Sequence, residues 1–360
     1  MRNKDFRWLI VFLGFFLFSA GWEELGYLLS QAPGQIALLF HRTPIEKVLK
    51  KKELDPQTRA KLELVLEIKR YAEEEVGLVH NKSYTIYRPL KRKVLSWNLT
   101  ACPKLSLEPL SWKFPLVGKV PYLGFFKKED ALKKKAELEA KGYEVYIRPV
   151  SAYSMLGIVA DPVYSTMLKY QDYDLANLII HELTHATIWA KGYPEFNENL
   201  ALFVGNQGAL NFCREKFNPD SEQVKYGIYS NYDDMVFQEY LRQLAKKLEE
   251  LYSRKDLSEK EKLEKKQKIL AQTKKDFEKN WLPKMKTGIY QGWLKKDLNN
   301  AVIASYRVYY HDLSLYQEVY EKLGEDLKRM VEFIKQVAEE ESGNPEAYLR
   351  QWLKTQTSSN

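Results

Sequence analysis

The sequence predicts an α+β protein with a small β-sheet region, a mainly helical second half and a long helical hairpin within that half. Three observations carry the prediction. PYLGFF, KKEDALKKKAELEAKG and YEVYIRPV, residues 121–150, follow one another as strand, helix and strand, with Gly142 closing the helix. DYDLANLIIHELTHATIW, residues 172–189, is apolar at helical spacing. Phe237, Leu241, Leu244, Leu248 and Leu251 recur at steps of four and three, and Leu263, Leu270 and Phe277 follow at sevens, the pattern of an antiparallel hairpin over 233–282.

The chain opens with Arg2, Lys4 and Arg7 ahead of the apolar run Trp8 to Ala20. A basic flank and an apolar stretch shorter than the roughly 18 residues of a full membrane span read as a signal peptide or signal anchor over 1–21. The body of the protein is therefore expected to be exported, with membrane association through the N-terminus. Residues 22–79 read as a helical segment, with Leu62, Val65, Leu66 and Lys69 at helical spacing and breaks at Pro33, Pro44 and Pro56. Residues 80–170 form an α/β region: SYTIY, a run with Pro103, Pro109, Pro115 and Pro121, a compact β-α-β unit, and an edge strand in SAYSMLGIVADP. From 171 to 360 the pattern is helical. Asp172 or Asp174 is expected to cap the first helix there, and Ser258 with Glu261 has the form of a capping box inside the hairpin.

Composition narrows the function. Hydrophobic residues are 45% and charged residues 29%, which is globular, and 360 residues suffice for a core without metal or disulfide staples. The net charge of +8 is spread by interleaved Lys and Glu, so the one-sided field that nucleic acid requires is missing, and no nucleic-acid partner is expected. Cys102 and Cys213 are too few for a zinc ribbon; one bridge or two free thiols both remain open.

HELTH, residues 181–185, is the chemically pointed stretch. At about 100° per residue, His181 and His185 lie one turn apart on one helical face, so two imidazoles can reach one ion. Glu182 stands on the adjoining face, where a base for an activated water belongs. H-E-x-x-H on a helix is a known zinc-protease signature. A catalytic zinc takes a third protein ligand and keeps one position open. Glu195 and Glu198, in GYPEFNENLALFVG, can both return to it; Glu198 is preferred, with the first helix running to about Lys191 and Asn197 as the N-cap of the next.

GYLLSQAPGQIALL (26–39), FPLVGKVPYLGFF (114–126), AYSMLGIVADP (152–162), LANLIIHELTHATIW (175–189), FNENLALFVGNQG (196–208) and LNNA (298–301) together resemble the bacterial putative aminopeptidase family of exported zinc-dependent proteins. The resemblance runs from about residue 22 to 340. It implies a zincin-like, gluzincin-like metallopeptidase with one zinc per chain held by His181, His185 and Glu198, with Glu182 as general base. It further implies a peptide substrate and the periplasm or cell envelope of a bacterium. Two departures stand out. SAGW after the apolar run has no Cys for a lipid anchor, and Leu202 occupies the place where better-known gluzincins carry an acid that orients a histidine.

A donor to the oxyanion is expected among Tyr306, Tyr309, Tyr310 and His311, next to LNNA, and Tyr309 is the choice. Amino-terminal specificity calls for a carboxylate to hold the substrate amine, for which Glu195, Asp161 and Asp172 are candidates. Two other readings stay open: a zinc endopeptidase, and a non-catalytic envelope protein with a structural metal.

Overall fold

A computed structural model describes residues 26–27, 30–31, 33–34, 38, 40, 42–114, 118–151, 160–307, 312–340 and 343–357. The elements in order are β1 Thr43–Pro44, α1 Ile45–Leu49, α2 Pro56–Glu74, β2 Ile86–Arg88, β3 Ser96–Cys102, β4 Trp112–Phe114, β5 Gly118–Val120, β6 Leu123–Phe125, α3 Lys128–Ala140 and β7 Glu144–Val150. After them come β8 Val163–Tyr164, α4 Asp172–Thr187, α5 Pro194–Phe217, α6 Glu222–Ser253, α7 Glu259–Asp276, α8 Asn300–Arg307, α9 Ser314–Lys322, α10 Leu327–Glu340 and α11 Pro345–Thr357. The molecule is α+β and mostly helical, as the sequence predicts. The apolar stretch 8–20 lies outside the described residues, and among those described no helix is long and apolar enough to cross a membrane.

The strands form three small sheets, ordered β1-β2-β8, β6-β3-β7 and β4-β5. The expected β-α-β unit is present but split. β6 and β7 are not neighbours; each pairs antiparallel with β3, with Leu99 opposite Leu123 on one side and Ile147 on the other. Helix α3 covers this sheet, burying Ala131 and Leu138 against Leu99, Leu123, Phe125 and Val145. It ends as the sequence requires: Gly142 adopts φ +87, Gly142 N donates to Glu139 O and Tyr143 N to Leu138 O, a Schellman closure. Of the edge strand expected in SAYSMLGIVADP, residues 152–159 lie outside the described set. The strand β8 that follows it pairs parallel with β2 at the edge of its sheet.

The main core packs α2, α4, α5, α9 and α10. Helix α2 starts at Pro56 behind the Asp55 cap and turns Leu62, Val65, Ile68 and Ala72 inward. Helix α4 buries Leu175, Ala176, Ile179, Ile180 and Leu183. Its N-cap is Gln171, without a side-chain cap, so neither Asp172 nor Asp174 caps it. Both acids sit in the first turn, where the helix dipole favours them, and Asp172 also takes the Lys61 ammonium at 2.7 Å.

The hairpin α6–α7 carries a second core. Phe237, Tyr240, Leu244, Leu248, Leu270 and Phe277 close around Trp293. The Ser258 capping box forms, with Ser258 N donating to Glu261 Oε2 at 2.8 Å and Glu261 N to Ser258 Oγ at 3.3 Å. A buried polar knot ties the hairpin to the split sheet. Lys266 Nζ donates to both Glu144 oxygens, at 2.6 and 2.7 Å, and to Lys104 O at 2.8 Å. Asn300 N donates to Glu144 Oε2 at 2.7 Å, and Asn300 Nδ2 donates to the carbonyls of Pro103, Lys104 and Ser106. Cys102 and Cys213 are free buried thiols in separate clusters, both pushed up to about 12 by burial.

Candidate metal centre

Helices α4 and α5 build the centre between them. His181 and His185 share one face of α4, and Glu198 comes from the second turn of α5. The two Nε2 atoms lie 3.2 Å apart. His181 Nε2 is 3.8 Å from Glu198 Oε2, and His185 Nε2 is 3.4 Å from Glu198 Oε1. The donor atoms of all three residues fit within 4.8 Å of one another. Ligands about 2.0–2.2 Å from a tetrahedral ion are separated by roughly 3.2–3.6 Å, so the spacing is compatible with a shared metal.

The chemistry of the donor set agrees. Three Lewis bases converge, two imidazoles and a carboxylate, the donor types that bind a divalent ion such as zinc. His185 is buried, and its Nδ1 makes no hydrogen bond to any described residue, which leaves Nε2 as the nitrogen engaged with the other donors. His181 is partly exposed and the Glu198 side chain is half exposed, so the group is open to solvent.

Two features of α5 place Glu198 there. The first is a close approach of the helices: a Cβ on Gly205 would stand 3.2 Å from His181 Cβ and from Asn177 O, and one on Gly208 would stand 3.1 Å from Ile180. The second is the link between the helices. Helix α4 ends at Thr187 rather than near Lys191, and α5 begins at Pro194, so Asn197 is not its cap. The buried Asn197 amide instead reaches back to the link: Ala190 N donates to Asn197 Oδ1 at 2.8 Å and Asn197 Nδ2 donates to Ala190 O at 2.9 Å. This pair of bonds draws the start of α5 against the end of α4. Glu198 is thereby held in the second turn, not the first.

Glu182 follows the first histidine and is partly exposed. One neighbour was not singled out by sequence reasoning. Tyr84 is buried, and burial first, then the negative charges of Glu182 and Asp161, hold its phenol protonated well above the ordinary range. Its backbone is in the left-handed region at φ +60, a strain of about 1–2 kcal/mol for a side chain of this size. Tyr84 N donating to Asp161 O at 2.7 Å, and Asp161 N donating to Ser83 Oγ at 3.1 Å, keep it there. SYTIY reads as a plain strand in sequence; nothing in it announces a positive φ.

The other candidates separate. Tyr309, Tyr310 and His311 lie outside the described residues. Tyr306 packs against Trp293 and Phe237 in the second core. Asp172 is tied to Lys61, Asp161 is buried beside Tyr84, and Glu195 is exposed one turn before Glu198 on α5. Leu202, partly buried on α5, supplies no acid to the histidines.

No curated protein and no solved structure matches the chain. The model of the family described as "Putative aminopeptidase" matches residues 26–349, a span that includes both helices of the centre. A match over most of the chain settles its membership: the protein belongs to the putative aminopeptidase family.

Proposed function

We propose that the protein is a zinc-dependent peptidase of zincin-like architecture that removes amino-terminal residues from peptides. The reading is carried by the convergence of His181, His185 and Glu198 within 4.8 Å, with Glu182 beside them on a rigid helix. The family's description supports the aminopeptidase assignment.

His181, His185 and Glu198 would hold one zinc. Zinc in such a site supplies Lewis acidity, which brings the pKa of water toward neutrality and polarises a carbonyl. Glu182 takes the proton of the attacking water and returns it to the leaving amine. Tyr84, kept neutral by its surroundings, lies in the field of Glu182 as a proton-bearing neighbour. Tyr309 is retained as the proposed oxyanion donor. Glu195, exposed one turn from Glu198, is the carboxylate proposed to meet the substrate's amine. The basic and apolar N-terminus supports export to a bacterial envelope, periplasmic or membrane-anchored, with peptides as the partners.

The test is metal analysis of the full-length chain, with hydrolysis of aminoacyl and N-acetylated peptides by wild type and Glu182→Gln. One zinc per chain, cleavage confined to free amino termini, and a loss of about 10²–10⁴-fold in the variant at unchanged zinc content are expected. Cleavage of acetylated peptides makes it an endopeptidase. A metal-free protein, or equal activity in both forms, rules the mechanism out.

A further inference from the structure

Trp189 is half exposed, at 50%, yet its ring lies 5.8 Å from that of His185, edge-on at 67°. The open indole offers a flat apolar surface next to His185 that a bulky apolar group can cover. The backbone around it is fixed. Ile188 and Ala190, on either side, are buried at 3% and 4%. Ile188 N donates to Thr184 O at 2.9 Å, and Ala190 is held at both its N and O by the Asn197 amide. The indole therefore projects from an anchored extended segment, and its location does not depend on its own packing.

We propose that Trp189 forms the wall of a subsite for a bulky apolar side chain, aliphatic or aromatic, on the substrate residue adjoining the cleaved bond. The proposal rests on the peptidase reading. A peptide whose carbonyl reaches the three donors brings its flanking side chain within a few ångströms of the indole, because His185 touches both. Trp189 acts on selectivity, not on the bond-breaking step.

The test uses the full-length, zinc-loaded protein and two readouts. In hydrolysis, the ratio of kcat/KM for phenylalanyl over alanyl substrates is about tenfold or more in wild type. It falls about tenfold in Trp189→Ala and is largely retained in Trp189→Phe, in the range expected for apolar pocket contacts. In binding, phenylalanine hydroxamate is tighter than glycine hydroxamate on the Glu182→Gln background, and adding Trp189→Ala removes the difference. Zinc content is measured in each form. An unchanged ratio and an unchanged hydroxamate preference in Trp189→Ala overturn the subsite. A wild-type protein without turnover that still shows the Trp189-dependent hydroxamate preference keeps the subsite and overturns the peptidase reading instead.

Discussion

Gly205 and His181 meet across two helices so closely that a single added carbon on the glycine would stand 3.2 Å from His181 Cβ. That contact sets how near α5 comes to α4, and hence whether Glu198 reaches the imidazoles. In Gly205→Ala the helix gains about 1 kcal/mol of intrinsic propensity, but Asn177 O, a backbone atom also 3.2 Å away, cannot step aside. Zinc affinity is expected to fall about tenfold, read by competition with a chromogenic chelator. Gly208→Ala meets only side-chain atoms, of Ile180 and Leu327, and is expected to leave affinity within about twofold.

Lys266 has no exposed side-chain surface and serves Glu144 and the Lys104 carbonyl. Burial lowers its pKa, against the pull of Glu144. Lys266→Met leaves Glu144 with half of its partners, and urea denaturation should show a loss of about 3 kcal/mol or more. Lys266→Met combined with Glu144→Gln removes the stranded charge and should recover at least about 1 kcal/mol of that loss. A double variant no better than the single would mean that packing, not the charge, dominates the knot.

Asp234 gives a pH signature. Burial lifts its carboxyl to about 6, against the pull of the Tyr290 hydroxyl, which donates to Oδ1 at 2.5 Å; Asp174 and Asp233 push it further up. The folded chain thus binds this proton more tightly than the unfolded chain, whose value is about 4. The contribution is fully present below pH 4 and is lost as pH rises to about 6, a step of about 3 kcal/mol at most. Stability curves of wild type and Asp234→Asn, taken every half unit from pH 4 to 7, should diverge with rising pH, the variant becoming the more stable. Parallel curves would contradict the shift.

HELTH was legible because its geometry is local: two residues four apart on a helix share a face wherever that helix lies. Reach admitted both Glu195 and Glu198, and the choice of Glu198 leaned on an Asn197 cap that the helix does not have. The link between the two helices was not legible. Thr184 and Thr187 donate their hydroxyls back to Ile180 O and Leu183 O, which weakens the helix end, and Val79 N donates to Thr187 Oγ1 from far away in the chain. Helix α4 stops there, and Asn197 becomes a clamp where a cap was expected. Strand β3, which splits the β-α-β unit, is masked in sequence because SWNLTAC is buried along most of its length and does not alternate. LNNA drew attention as a neighbour of candidate tyrosines, yet Asn300 within it secures the 103–106 loop. Its partners lie almost two hundred residues earlier, beyond what spacing can show.

All three residues of the candidate metal centre come from residues 181–198, one helix pair with its short link. Tyr84, whose phenol feels the charge of Glu182, arrives from a different part of the chain. The residues proposed to select the substrate, Trp189 and Glu195, fall inside 181–198, so reactivity and discrimination are written together in eighteen residues. A redesign of selectivity would have to change the link between the helices while keeping the Asn197 clamp that holds it.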